Sequence, residues 1–93
     1  MLSKIPIRLE KIKAEDLDKE ILRAGIIAEY DAINLYEQMA SLAKNDHIKK
    51  VLLDVAREEK EHVGEFQTLL LQLDKQQVEE MKEGAEEVKE LIG

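Results

Sequence analysis

Three side chains that could bind a metal ion stand out in the sequence. Glu29 lies in the first half of the chain, and Glu59 and His62 lie three residues apart in the second half. Carboxylate oxygens and imidazole nitrogens are common ligands of divalent transition metals. Glu59 and His62 interrupt a pattern that is otherwise apolar and advances in alternating steps of four and three residues, as expected for one face of a helix. That pattern consists of Ile48, Leu52, Val55, Glu59, His62, Phe66, Leu69 and Leu73.

The first half of the chain carries an equivalent pattern with Glu29 as its single charge. Its members are Leu22, Ile26, Glu29, Ile33, Tyr36, Ala40 and Ala43. We call each of these two patterns a seam. Both helices carry further apolar residues beside their seams, which in the second helix are Leu53, Ala56, Val63 and Leu70. The apolar faces are therefore wider than a single partner helix requires.

Start and stop signals predict three helices and an N-terminal arm. Asp16 is a candidate N-cap, Asn45 and Asp46 mark a turn in which Asp46 could cap the second helix, and Asp74 marks a break and a new cap. The predicted segments are an extended arm over 1–14, a first helix from Asp16 to about Lys44, a second from about His47 to Leu73, and a shorter third helix over 75–92.

Composition places the chain among single-domain, all-α proteins. It has 93 residues, one Pro, four Gly and no Cys, and 38% of its residues are charged. The absence of Cys excludes disulfides and thiolate metal sites. A net charge of −7 disfavours nucleic acid and anionic membrane as partners and favours cations. No apolar run approaches the roughly 20 residues of a membrane span, and no signal peptide is recognisable, so a cytoplasmic location is expected.

An antiparallel hairpin would bring the three polar seam residues level with one another. Glu29 precedes Asn45 by 16 residues and His62 follows Asp46 by 16 residues, or ~24 Å of helix in each case. Two carboxylates and an imidazole would then converge inside an otherwise apolar core. Burying unpaired carboxylates is costly, and a divalent cation would neutralise them. The alternative is a non-catalytic helical module in which the seam charges only set register and oligomeric state.

The number of ligands corresponds to half of a dinuclear site. Carboxylate-bridged dinuclear bundles use one Glu from each of two helices and a Glu-x-x-His motif from each of two others, and this chain has one of each. A two-fold homodimer would supply the other half from identical residues and complete a four-helix bundle. Glu65, three residues beyond His62, could act behind the ligands or along an access route for cations.

The stretches IIAEYDAINLYEQMA and LLDVAREEKEHVGEF, with a 30-residue offset between Glu29 and Glu59, resemble the encapsulated ferritin-like family. Members of this family are housed inside encapsulin nanocompartments. The resemblance implies a ferritin-like bundle and a ferroxidase that oxidises Fe(II) with dioxygen at a di-iron centre between two subunits. Glu29, Glu59 and His62 match the family's metal ligands, and Tyr36 matches a tyrosine close to the metals. These four are the expected catalytic residues.

The resemblance also implies an assembly and a cellular setting. Family members form rings of dimers, commonly decamers, in which the C-terminal helix joins dimers, and the encapsulin shell stores the iron. Asp31 matches part of a cation access route, but Ala28 and Leu35 stand where other members have a Glu and an aromatic residue. The chain could be free cargo of the shell or a domain of a shell fusion.

Iron is the expected metal, and Mn, Zn or Ca could occupy the same ligands in vitro. A further alternative keeps the two metals and assigns a different reaction, the reduction of peroxide at a rubrerythrin-like or di-manganese centre.

Overall fold

The computed structural model describes residues 13–93, which form three α-helices. They are α1 (Ala14–Leu42), α2 (Asp46–Leu73) and α3 (Lys75–Ile92). The all-α prediction is confirmed, as are the end of the second helix and both bounds of the third. The predicted arm lies outside the described residues except for Lys13, which is extended, and Ala14, which begins α1. Within the described residues, no helix is both long and apolar enough to cross a membrane.

The antiparallel packing of α1 against α2 forms the core of the fold. The buried side chains between them are small or branched and come from both helices: Ala24, Ile33 and Ala40 on α1, and Ala56, Val63 and Leu70 on α2. The residues of α2 in this set recur every seven positions and therefore form one stripe along the helix. Ala40 and Ala56 are each only 1% exposed, and their small side chains let the two helices approach closely near the turn.

The prediction that the seams form the buried core of the hairpin is wrong for the two ends of the α2 seam. Ile48, Leu69 and Leu73 of the α2 seam are each about half exposed, and the stripe through Ala56, Val63 and Leu70 packs on α1 instead. The physical reason is that a hairpin offers each helix only one partner. A wide apolar face therefore leaves part of its surface uncovered, and in α2 that part includes the two ends of the seam.

Two predicted helix caps also differ from the structure. Asn45 is the N-cap of α2, because its side-chain oxygen accepts hydrogen bonds from the backbone N–H groups of His47 (2.9 Å) and Ile48 (3.1 Å). Asp46 is the first residue of α2 rather than its cap. Asp16 likewise lies within the first turn of α1, whose N-cap is Lys13 without a capping side chain. An acidic residue in that turn still interacts favourably with the helix dipole.

The first helix is shorter at its C-terminus than predicted, and α3 leaves the hairpin at a sharp bend. α1 ends at Leu42 because Ala43 already has an extended backbone, which leads into the turn. Asp74 is at once the C-cap of α2 and the N-cap of α3. The third helix continues through Gly84 and contains no buried residue.

Candidate metal centre

The hairpin brings Glu29, Glu59 and His62 together in one cluster. Glu29 lies near the middle of α1, and the other two lie one turn apart on α2. The Nδ1 atom of His62 is 3.3 Å from Oε2 of Glu29 and 3.5 Å from Oε2 of Glu59. One oxygen of each carboxylate and one ring nitrogen all lie within 4.8 Å of one another. The expected level placement of these residues across the hairpin is therefore what the structure has.

The separations of the His62 nitrogen from the two carboxylates suit a transition-metal ion. Ligand atoms about 2.0–2.2 Å from one ion, at tetrahedral or octahedral angles, lie roughly 2.8–3.6 Å apart. The two distances from the imidazole nitrogen of His62 fall at the upper end of that range. Two carboxylates and an imidazole form a mixed oxygen and nitrogen donor set, which suits iron, manganese or zinc. Three protein ligands leave coordination positions open for a further ligand.

The cluster lies on the open face of the hairpin. The side chains of Glu29 and Glu59 are 18% and 19% exposed, whereas that of His62 is 43% exposed. Val55 and Phe66, one turn before Glu59 and one turn after His62 on the seam, are half-buried. The ligands thus sit in an apolar surface that a single chain leaves partly uncovered.

Close packing of α1 on α2 beside the cluster depends on a glycine. A Cβ atom at Gly25, one turn before Glu29, would lie 3.2 Å from Cδ2 and 3.3 Å from Cε2 of Phe66. The aromatic ring therefore rests directly on the backbone of α1. This contact forms an apolar wall one helical turn from the ligands.

The other predicted site residues lie outside the cluster. Glu65 is exposed, and Asp31 is half-buried with one carboxylate oxygen, Oδ2, that is buried and has no hydrogen-bond partner among the described residues. Tyr36 is half-buried two turns after Glu29, and the hydrogen bond of the cluster joins His62 to Glu29 without involving it.

An ion pair next to the cluster was not predicted from the sequence. The Nζ atom of Lys60, the residue after Glu59, lies 2.8 Å from Oε2 of Glu37 on α1. Glu37 lies 8 residues before Asn45 and Lys60 lies 14 residues after Asp46, so the two are not level in the predicted hairpin and their spacing does not predict the pair. Both side chains are about half exposed, so the pair contributes little to stability, about 0–1 kcal/mol.

Comparison with known proteins identifies a family and several relatives. The sequence profile of the rubrerythrin family matches residues 20–92. The chain is 68% identical over 74 residues to a ferritin-like–encapsulin shell fusion protein of Pyrococcus furiosus. The aligned region covers 80% of this chain and 21% of that protein. It is 40% identical over 65 residues to the encapsulin nanocompartment cargo protein EncC of Myxococcus xanthus. That alignment covers 70% of this chain and 50% of the cargo protein. The chain therefore spans between a fifth and a half of the length of these two relatives.

A solved structure agrees with the fold over its whole length. The crystal structure of an encapsulated ferritin domain from Pyrococcus furiosus superposes with a TM-score of 0.86 at 58% sequence identity. The match covers 100% of this chain and 97% of that one.

Proposed function

We propose that this chain is a ferroxidase. The chain belongs to the rubrerythrin family and, within it, to the encapsulated ferritin-like proteins. It would oxidise Fe(II) to Fe(III) with dioxygen at a di-iron site shared between two subunits. The observation that carries the proposal is the convergence of Glu29, Glu59 and His62 within 4.8 Å on an open face of the hairpin.

The number and the exposure of the ligands support the sharing of the site between two copies. Two iron ions need more donors than one imidazole and two carboxylates, and bundles of this class supply four Glu and two His. The imidazole of His62 is 43% exposed, so a facing subunit can reach it. A two-fold axis beside the cluster would bring a second set of the same three ligands to the first.

The spacing of the α2 seam fits such an axis. The steps of four and three read the same in both directions, and the midpoint of the seam lies between Lys60 and Glu61. A second α2 packed antiparallel about that midpoint would pair Leu52 with Leu69 and Ile48 with Leu73. It would also place Glu59 opposite His62 of the second copy. The apolar pairs then bury the half-exposed seam residues, which contributes about 25 cal/mol per Å² of apolar surface removed from water.

Each residue type has a distinct role in the proposed reaction. The carboxylates of Glu29 and Glu59 are hard oxygen donors that hold iron before and after oxidation, and His62 supplies a nitrogen donor. Iron is the substrate here, and each Fe(II) gives up one electron to dioxygen, which is the acceptor. The net charge of −7 raises the local concentration of cations. Tyr36, Asp31 and Glu65 are not proposed as ligands. We propose that Tyr36 lies beside the metals, and that Asp31 and Glu65 act behind the ligands or along the cation route.

The relatives suggest where the product goes. One is named as a fusion to an encapsulin shell and another as encapsulin cargo. We propose that this chain likewise works with an encapsulin shell as a ring of dimers in a cytoplasmic nanocompartment, and that the shell stores the ferric product. The apolar residues that α3 leaves exposed, Val88, Leu91 and Ile92, support contacts beyond the dimer.

Stopped-flow absorbance after mixing with Fe(II) in air tests the proposal. Glu59→Gln and His62→Ala should lose the rapid ferric signal, because each removes a ligand from both halves of the site. Glu58→Gln is the matched control, since it removes the same charge from an exposed neighbouring position. Wild-type rates in both ligand variants would refute the assignment. Iron-edge anomalous scattering separates this function from a purely structural module, which would show no metal between Glu29, Glu59 and His62.

The match to the rubrerythrin profile favours peroxide reduction as a second candidate. That reaction would reduce hydrogen peroxide to water without dioxygen, with one electron taken from each of two bound Fe(II) or Mn(II) ions. Peroxide loss that depends on His62, together with no ferric product from Fe(II) in air, would favour it over the ferroxidase.

A further inference from the structure

The bend between α2 and α3 consists of one residue, Asp74, and its side chain contacts two other helical segments. One carboxylate oxygen, Oδ1, accepts the backbone N–H of Gln77 in the first turn of α3 at 3.0 Å. The other, Oδ2, accepts a hydrogen bond from Nη2 of Arg23 on α1 at 2.8 Å. Asp74 therefore joins α1 to α3, although the two helices are separated in sequence by the whole of α2.

Packing does little to fix the direction of α3. Among the described residues, no Cα atom of α3 lies within 8 Å of a Cα atom of α1, and α3 contains no buried residue. An open groove of about 320 Å³ lies between α3 and the hairpin, lined by Ile27, Leu70, Leu71 and Met81 among others. Beyond this groove the distal half of α3 is free of the hairpin, and Leu91 and Ile92 are at least 80% exposed. The dihedral angles of a single residue would otherwise decide where α3 points.

We propose that Arg23 and Asp74 form a clasp that sets the angle between α3 and the hairpin. The clasp is a positioning device: Arg23 fixes the carboxylate of Asp74 relative to α1, and the same carboxylate fixes the first turn of α3. It thereby sets the direction in which the apolar residues of α3 are presented. This inference concerns the orientation of a helix and holds whether or not the hairpin oxidises iron.

The surroundings of Asp74 make this pair different from the surface ion pairs of the molecule. In this pair Arg23 is 41% exposed but Asp74 is only 12% exposed, whereas both members of the Lys60–Glu37 and Arg57–Asp54 pairs are more than 40% exposed. Shielding from water strengthens a charge-assisted hydrogen bond. The N–H of Gln77 and the guanidinium of Arg23 both lower the pKa of Asp74, so the carboxylate is charged at neutral pH.

Distances between spin labels measure the angle directly. The chain has no Cys, so Lys50→Cys on the outer face of α2 and Glu86→Cys on α3, both exposed positions, allow selective labelling. Double electron–electron resonance on metal-free protein, with labelled chains diluted in an excess of unlabelled ones, gives the distance distribution within one chain. The parent should show a single narrow distribution.

Two substitutions break the clasp in different ways. Asp74→Asn removes the charge but keeps a side chain that caps helices equally well, and Arg23→Gln leaves Asp74 intact. Both should at least double the width of the distribution, while far-UV circular dichroism stays unchanged. Arg57→Gln is the control, because Arg57 pairs with Asp54 (3.1 Å) and Glu61 (3.6 Å) inside α2 and, among residues 13–93, has no ion pair with another helix.

The clasp is overturned if both variants keep the mean distance and width of the parent. It is also overturned if Arg57→Gln broadens the distribution as much as Arg23→Gln does. The clasp is supported if the distance distribution broadens in Asp74→Asn and in Arg23→Gln but not in Arg57→Gln.

Discussion

Replacing Glu29 by Gln should stabilise the metal-free protein and abolish its stabilisation by metal. The carboxylate oxygens of Glu29 and Glu59 that face His62 lie within 4.8 Å of each other. Two unit charges at that separation repel by about 1 kcal/mol at the dielectric constant of water and by about 3.5 kcal/mol at an effective value of 20. Because both side chains are nearly one-fifth exposed, the lower half of that range applies, and we expect a gain of about 1–2 kcal/mol.

The amide of Gln keeps the shape of the side chain and its hydrogen-bonding capacity toward His62, so the substitution mainly removes charge. Urea unfolding in the presence of a chelator, followed by circular dichroism at equal protein concentration, measures the gain. A change of 1 kcal/mol corresponds to a shift in Tm of about 4–8 °C for a domain of this size. Fe(II) added without oxygen should then raise the Tm of the parent but not that of Glu29→Gln, because a ligand bound only by the folded state stabilises it.

The matched control is Glu58→Gln, which removes one charge from an exposed position next to Glu59. It should change the metal-free stability by no more than about 0.5 kcal/mol, as is usual for surface substitutions, and should leave the effect of Fe(II) intact. The reasoning fails if Glu29→Gln is less stable than the parent in chelator. It also fails if Fe(II) stabilises the variant as much as it stabilises the parent.

Two further predictions concern the dimer face and the bend. Ile48→Lys, at the half-exposed end of the α2 seam, should dissociate the proposed dimer in native mass spectrometry. Leu42→Lys, at a position 80% exposed at the end of α1, should leave the dimer intact. Equal dissociation in both variants would contradict the seam as the interface. The N–H of Gln77 on α3, together with Arg23 and Lys19 on α1, lowers the pKa of Asp74 from 3.8. The contribution of this carboxylate to stability is therefore fully present above pH 3.8 and is lost as the pH falls through the lowered pKa. The difference in unfolding free energy between the parent and Asp74→Asn should therefore be constant at higher pH and shrink below pH 3.8, and a constant difference down to acid pH would contradict this.

The helices could be predicted well from the sequence because the apolar pattern is regular and residues that can cap a helix mark the helix ends. Asp74 interrupts the apolar pattern and can cap a new helix, so α3 was predicted with its observed bounds. Asn45 and Asp46 are neighbours that can both cap a helix, and local sequence does not separate them. The structure decides for Asn45, whose extended backbone lets its side-chain oxygen reach the N–H groups of the first turn.

Periodicity predicted less well which part of a wide apolar face meets the other helix. The stripe through Ala56, Val63 and Leu70 and the seam through Ile48, Leu69 and Leu73 are both regular, and each could have packed on α1. The small side chains of Ala40 and Ala56, which allow close approach, favour the first choice. The hydrogen bond between Arg23 and Asp74 could not be predicted from the sequence, because it depends on where the non-helical backbone of Asp74 directs its side chain.

The placement of the ligands beside the core, rather than inside it, lets one chain fold before it holds metal. A carboxylate buried deep between α1 and α2 would require a cation during folding, because isolated buried charges are strongly destabilising. Glu29 and Glu59 instead keep some contact with water in the single chain, and His62 keeps more. Under the proposed dimerisation the same residues lose that contact only when a second copy arrives with its own set of ligands. The cost of desolvating four carboxylates then falls on association, where two cations can offset it. Metal binding and dimer formation should consequently be coupled, each strengthening the other by the same factor.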